Sequence, residues 1–234
     1  MKKSVALAML LIAVFLVSDR ATGGTLVGEA KFVGEVPKAE VLKADKDVHC
    51  IEAFESRPSE QLIVSEEKGI KNIVVSVEGV EGAFEPSEES LVLDQVKCIY
   101  TPHVLPLLIG TVVLVRNSDP VNHNVRSNAE ENEPINWAMP EQDMELPLFL
   151  EEPEIVKLTC DIHKWMSAYL VVKENPYFAV TDGKGAFQIA HVPAGTYTVQ
   201  VWHEKLGVQT QQVKVPETGE VKITFRFSLQ KEKE

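Results

Sequence analysis

Seven residues between two apolar runs constrain this chain more than any other stretch. Cys160-Asp161-Ile162-His163-Lys164-Trp165-Met166 follows Ile155, Val156 and Leu158 and precedes Ala168-Tyr169-Leu170-Val171-Val172. A thiol, an imidazole and a thioether therefore fall in one short loop between two predicted strands. These are the soft and borderline donors that suit copper, and so short a loop points all three at one place. A copper centre of this kind needs a second imidazole. Val112 to Arg116 reads as a strand and Asn117-Ser118-Asp119-Pro120 as a turn, and His123 stands just past it.

Leu114 to Val125 followed by Cys160 to Met166 resembles the cupredoxins, the small blue-copper electron carriers, over roughly residues 98–172. The resemblance implies a Greek-key β-sandwich and one type 1 copper. It implies His123, Cys160 and His163 as equatorial ligands and Met166 as a weak axial one. Asn124, beside the first histidine, is then a second group able to hydrogen-bond towards the thiolate. His163 would be the electron exit if its ring edge reached the surface. Met139 and Met144 are read as packing, because methionine fills irregular gaps.

With Cys160 assigned to copper, Cys50 and Cys98 remain. In an oxidising compartment they can form a disulfide. The competing reading is a second metal site built from His49, Cys50, Cys98 and His103.

The compartment is read from the start of the chain. Lys2 and Lys3, the apolar run Val5 to Val17 and the small residues Ala21-Thr22-Gly23 read as a signal peptide over residues 1–23. Its removal leaves no transmembrane segment and implies a periplasmic or secreted protein. The formal charge is -12 for all 234 residues. So acidic a chain is not expected to neutralise nucleic-acid phosphates. It is expected to meet a redox protein partner, a basic cytochrome being one such partner.

From Tyr177 the texture changes. Short alternating runs, Tyr177 to Thr181, Ala186 to Ile189, Thr196 to Trp202, Gln209 to Val215 and Val221 to Phe227, are broken by Gly and Pro turns. The first two read as a hairpin. Thr181-Asp182-x-x-Gly185-x-Phe187 and Val192-Pro193-x-Gly195-x-Tyr197 resemble the carboxypeptidase regulatory-like, transthyretin-related domains, which carry no catalytic apparatus by themselves. Gln61 to Ser65 and Ile70 to Val77 are further predicted strands, and a short helix is expected near Val48 to Phe54. The long acidic stretch Ala129 to Glu154 is expected to hold a strand at Leu148 to Leu150 and otherwise to cover the metal end.

The expectation is therefore an all-β chain: a copper-binding sandwich over residues 24–174 and a small β-sandwich over 175–234. An exported, non-enzymatic carrier of single electrons follows. His-x-His pairs, which multicopper oxidases need, do not occur. Copper trafficking or sensing, and a non-redox binding or adhesion protein, are the alternatives.

Overall fold

The computed structural model of the protein describes residues 23–54 and 56–229. All but the last residue of the expected signal peptide lies outside the described residues. The chain opens with β1 (Gly24–Phe32), whose even-numbered residues Leu26, Ala30 and Phe32 are buried on one face, as strand alternation requires. β2 (Val41–Lys43), the helix α1 (Val48–Ala53), β3 (Ser56–Pro58) and β4 (Val74–Glu78) come next. Nine strands then run without a helix: β5 (Leu91–Val96), β6 (Ile99–Thr101), β7 (Val104–Leu108), β8 (Val113–Asn117), β9 (His123–Asn128), β10 (Asn136–Met139), β11 (Met144–Leu148), β12 (Ile155–Thr159) and β13 (Ser167–Lys173). β14 (Phe178–Val180), β15 (Ala186–Val192), β16 (Gly195–His203), β17 (Gly207–Val215) and β18 (Glu220–Phe227) complete the fold.

Two sandwiches result, so the all-β class expected from the sequence holds. In the first, the sheet β10-β9-β12-β13-β7 faces the sheet β11-β8-β5-β6 across Leu93, Val115, Val125, Leu158 and Leu170. In the second, β15-β1-β18 faces β14-β4-β16-β17 across Leu26, Val75, Val199, Val201 and Phe225. The sandwiches also meet each other. Val104 and Val171 of the first pack on Val74, Val180 and Trp202 of the second. Four sheets are thus stacked, and the two inner ones are covered on both faces. This is why Ile73-Val74-Val75 and Leu170-Val171-Val172 are buried without alternation.

Strand pairing divides the chain differently from the expected boundary at 174/175. β1 runs parallel to β18 from Thr25↔Glu220 to Phe32↔Phe227, and antiparallel to β15. β4 lies between β14 and β16. The second sandwich is therefore completed by segments from the start of the chain, and β5–β13 form a continuous sandwich inserted between β4 and β14. The physical reason is burial. The five strands after residue 175 leave an apolar face and unpaired edges that only β1 and β4 cover.

Two local expectations are corrected. β14 and β15 are not a hairpin, because they lie in opposite sheets. The turn between them crosses the layer, and Gly185 sits there at φ +79° with room for no side chain: a Cβ would come within 2.5 Å of the Ala30 carbonyl oxygen. Gln61 to Ser65 forms no strand; only the bridge Val64↔Ile70 remains. The helix expected near Val48 is present as α1.

Candidate metal centre

The site lies at one end of the inserted sandwich, where strand pairing gives way to loops. Cys160 follows the last residue of β12, and Met166 precedes the first residue of β13. His123 opens β9, the neighbour of β12. Adjacent strands and a single tight loop therefore deliver all four predicted ligands to one end. His123, Cys160, His163 and Met166 are all buried. Nδ1 of His123 lies 2.9 Å from Nδ1 of His163. Sγ of Cys160 lies 3.8 Å from the same His163 nitrogen, and the three donor atoms fall within 4.8 Å of one another.

Two carboxylates set the histidine tautomers. Asp119 Oδ2 takes the Nε2–H of His123 at 2.9 Å, and Asp47 Oδ2 takes that of His163 at 2.7 Å. A carboxylate can only accept, so each ring turns an Nδ1 lone pair inward. Two lone pairs and a thiolate crowded together need a positive charge among them. Burial alone would lower the pKa of His123, but Asp119 and Cys160 raise it overall. Burial pushes the Cys160 thiol up, yet the close approach of the two histidines and the backbone N–H groups of Asn124 and His163 bring it down to about 5. A thiolate at neutral pH, two imidazoles and a buried thioether on the same loop fit copper, with outer carboxylates orienting the rings.

Sequence reasoning misses Asp119, although the Asn-Ser-Asp-Pro turn contains it. Asn117 organises that turn: its amide donates to the carbonyls of Val121 and Met139, and its oxygen accepts the N–H of Asp119. Lys97 and Cys98 form the two-residue turn of the β5–β6 hairpin at φ 54° and 55°, a pairing typical of type I′. Both aim their N–H groups at the Asp119 carboxylate, at 2.7 and 2.8 Å, and His49 Nε2 adds a fourth donor at 3.0 Å. Burial raises the pKa of Asp119, but these bonds outweigh it and hold the group at about 2.

The Cys50–Cys98 disulfide is formed. It removes both thiols from the alternative metal site. His103 is elsewhere, bound to Glu204 and, at 3.1 Å, to the Ser167 carbonyl. The disulfide fastens α1 over the ligand loop. Cys50 Sγ is 3.7 Å from His163 Nε2, and Phe54 packs edge-on against Trp165. His163 is consequently 0% exposed, and its ring edge does not reach solvent. No sequence signal joins Asp47 to His163, which are 116 residues apart.

The Asn124 side chain does not face the sulfur. It accepts the Asp161 N–H and donates to Asn136; its backbone N–H takes the role towards Cys160. Met139 is buried opposite His123 in the β9–β10 pair, and its sulfur accepts from Gln95 at 3.0 Å. Of the long stretch 129–154, β10 and β11 extend the two sheets, while the segments 129–135 and 149–154 lie at the pole away from the ligands.

Comparisons with known proteins find partial likenesses. A family model described as polysaccharide lyase family 4, domain II, matches residues 155–223, less than half of the chain. The match is to that domain and not to the carboxypeptidase regulatory-like domains that the sequence resembles. No curated protein matches the sequence. Among solved structures, a purple cupredoxin from Nitrosopumilus maritimus is 22% identical, with 36% of this chain and 100% of that one covered and a TM-score of 0.32. An oxidised point mutant of amicyanin is 20% identical, with coverages of 50% and 95% and a TM-score of 0.34. A copper-containing nitrite reductase from Thermus scotoductus SA-01 is 20% identical, with a TM-score of 0.36; the match covers 42% of this chain but 25% of the reductase. These likenesses carry no argument about activity, which rests on the donor set.

Proposed function

We propose that the protein is a type 1 copper protein that carries single electrons in the periplasm or outside the cell. One observation carries this reading: Nδ1 of His123, Nδ1 of His163 and Sγ of Cys160 converge within 4.8 Å in a buried site, with Met166 buried at the end of the same loop. When bound, copper supplies a one-electron couple. The chain's own residues supply a site that changes little between oxidation states. Asp119 and Asp47 hold both imidazole rings by their outer nitrogens. The backbone N–H groups of Asn124 and His163 stabilise the thiolate charge. Val125, Leu158 and Trp165 belong to the apolar cluster around Cys160 and Met166 that excludes water. The disulfide keeps α1 in place over His163. Burial beneath a covalently fastened element speaks against a site built to hand its metal over.

The test is a visible spectrum of the protein with one equivalent of Cu(II). An intense thiolate-to-copper band, bleached by reductant and restored by oxidant, is expected. Cys160→Ser should abolish it completely. No band in the wild type, or a band that survives Cys160→Ser, would sink the assignment.

A further inference from the structure

The covering of His163 moves the question of electron exit elsewhere. Its Nε2 edge is taken by Asp47 and lies under the disulfide. One face of the ring remains in contact with an aromatic neighbour: the centroid of Trp165 is 5.0 Å away, tilted by 48°. Trp165 is held there by its indole N–H, which donates to the Cys98 carbonyl at 2.9 Å. Beyond Trp165 lies an open groove of about 560 Å³ between residues 40–46 and the ligand loop, with Met166 at its inner wall.

The charge of that groove is opposite to that of the chain. Lys43, Lys46, Lys157 and Lys164 line it; Lys164, with 75% of its side chain exposed, lies 3.7 Å from the Asp161 carboxylate. Of the two acidic residues on its wall, Glu40 is offset by Lys205 at 3.9 Å. The opposite pole carries the reverse charge. Glu130, Glu131 and Glu133 follow β9, and Glu151, Glu152 and Glu154 precede β12. A six-residue strand separates the poles, roughly 20 Å at about 3.3 Å per residue. A molecule so polarised turns its lysine-lined end, and not its acidic end, towards a negative surface.

We propose that this groove is the docking surface for a redox partner protein with a carboxylate-rich face, and that Trp165 is the contact between His163 and that partner. The inference rests on the electron-carrier reading. It reverses the partner charge expected from the net balance. One electron is exchanged per encounter, lost by one protein and gained by the other, with no bond made or broken.

The test has an arm that does not depend on copper. Hexacyanochromate(III), a redox-inert paramagnetic anion, is added to the isotope-labelled metal-free protein. Amide signals of residues 43–46 and 162–167 should broaden, a polyglutamate peptide should displace the anion, and Lys43→Glu/Lys46→Glu/Lys164→Glu should abolish the effect. Broadening centred elsewhere, or failure of polyglutamate to compete, would overturn the docking surface. In the second arm, ferrocyanide reduces the copper-loaded protein at low salt. The triple variant should react about tenfold more slowly with its visible band unchanged. Trp165→Leu should slow electron transfer at saturating ferrocyanide while leaving the anion-induced broadening intact. An unchanged rate in the triple variant refutes the groove, and one in Trp165→Leu refutes the exit. A protein without the visible band fails as a carrier, but the first arm still decides where acidic surfaces bind.

Discussion

The two sandwiches bury histidine in opposite ways. His123 in the inserted sandwich and His203 at the end of β16 are both almost fully buried. His123 is surrounded by anions, Asp119 on one nitrogen and the Cys160 thiolate near the other, and its pKa is raised despite burial. His203 has burial as its largest influence, with Glu204 raising and His103 and Lys205 lowering, and it falls to about 4. One residue type thus stands in a cluster of donor atoms in one sandwich and serves as a packing element in the other. The difference lies in the ends of the sheets. Burying a charge is costly unless it is paired and hydrogen-bonded, and the loops at the metal end bring two carboxylates, a thiolate and several backbone N–H groups to the same place. Every group of clustered donors among the described residues lies there.

The contrast can be broken most severely by emptying the core that has no site. Phe225→Ala, in the second sandwich, should cost about 3–5 kcal/mol, read by urea unfolding. The visible band of the copper-loaded variant should stay unchanged under native conditions. A band lost before unfolding would show that the second core shapes the metal end directly.

Replacing Cys50 and Cys98 together by Ala is expected to cost about 2–4 kcal/mol, since the bridge closes a long loop in the unfolded chain. The band should persist, but hydrogen exchange at α1 should accelerate. Unchanged exchange would mean that the Asp47 contact alone holds the segment down.

Acid should sharpen the histidine comparison. The unfolded chain takes up a proton at His203 near pH 6.5, the folded protein only near pH 4. Between those values the unfolded chain binds more protons, so acid favours unfolding. The contribution of His203 is whole above pH 6.5 and is lost as the pH falls to 4, about 3 kcal/mol in all. Urea midpoints of the metal-free His203→Gln variant should show a smaller fall across that window than the wild type. Equal falls would assign the acid sensitivity to other groups.

The smallest effect is expected where the sandwiches touch through charge. Lys173 of β13 meets Glu78 of β4 at 2.8 Å near the surface. Lys173→Ala should change stability by about 1 kcal/mol or less, as measured by thermal unfolding. A much larger loss would show that the two sandwiches are held together by this pair and not by the Val74, Val104 and Val171 contact.

The proposed donor set is legible directly because it is local. Cys160, His163 and Met166 share seven residues, and His123 follows a turn whose residues have backbone reasons to turn. The disulfide is one of two readings that the same cysteines allow. What escapes is relational. Asp119 stands inside a legible turn, but its four donors come from β9, α1 and the β5–β6 hairpin. The alternation of β1 reveals a strand and cannot reveal its neighbours. Chain order groups it with the segment that follows it, when its partners are β15 and β18.

By itself, the sequence determined the β class, the donor chemistry and the end of the sheet at which donors gather, because side-chain alternation, turn propensity and ligand softness are properties of short segments. Tertiary structure alone decided which strands share a sheet, which carboxylates orient the rings, and that α1 closes over His163. Those outcomes depend on pairings between residues far apart in the chain, Asp47 with His163 across 116 positions and Phe32 with Phe227 across still more. They are selected by the joint burial of faces and polar groups, and no short window of sequence contains them.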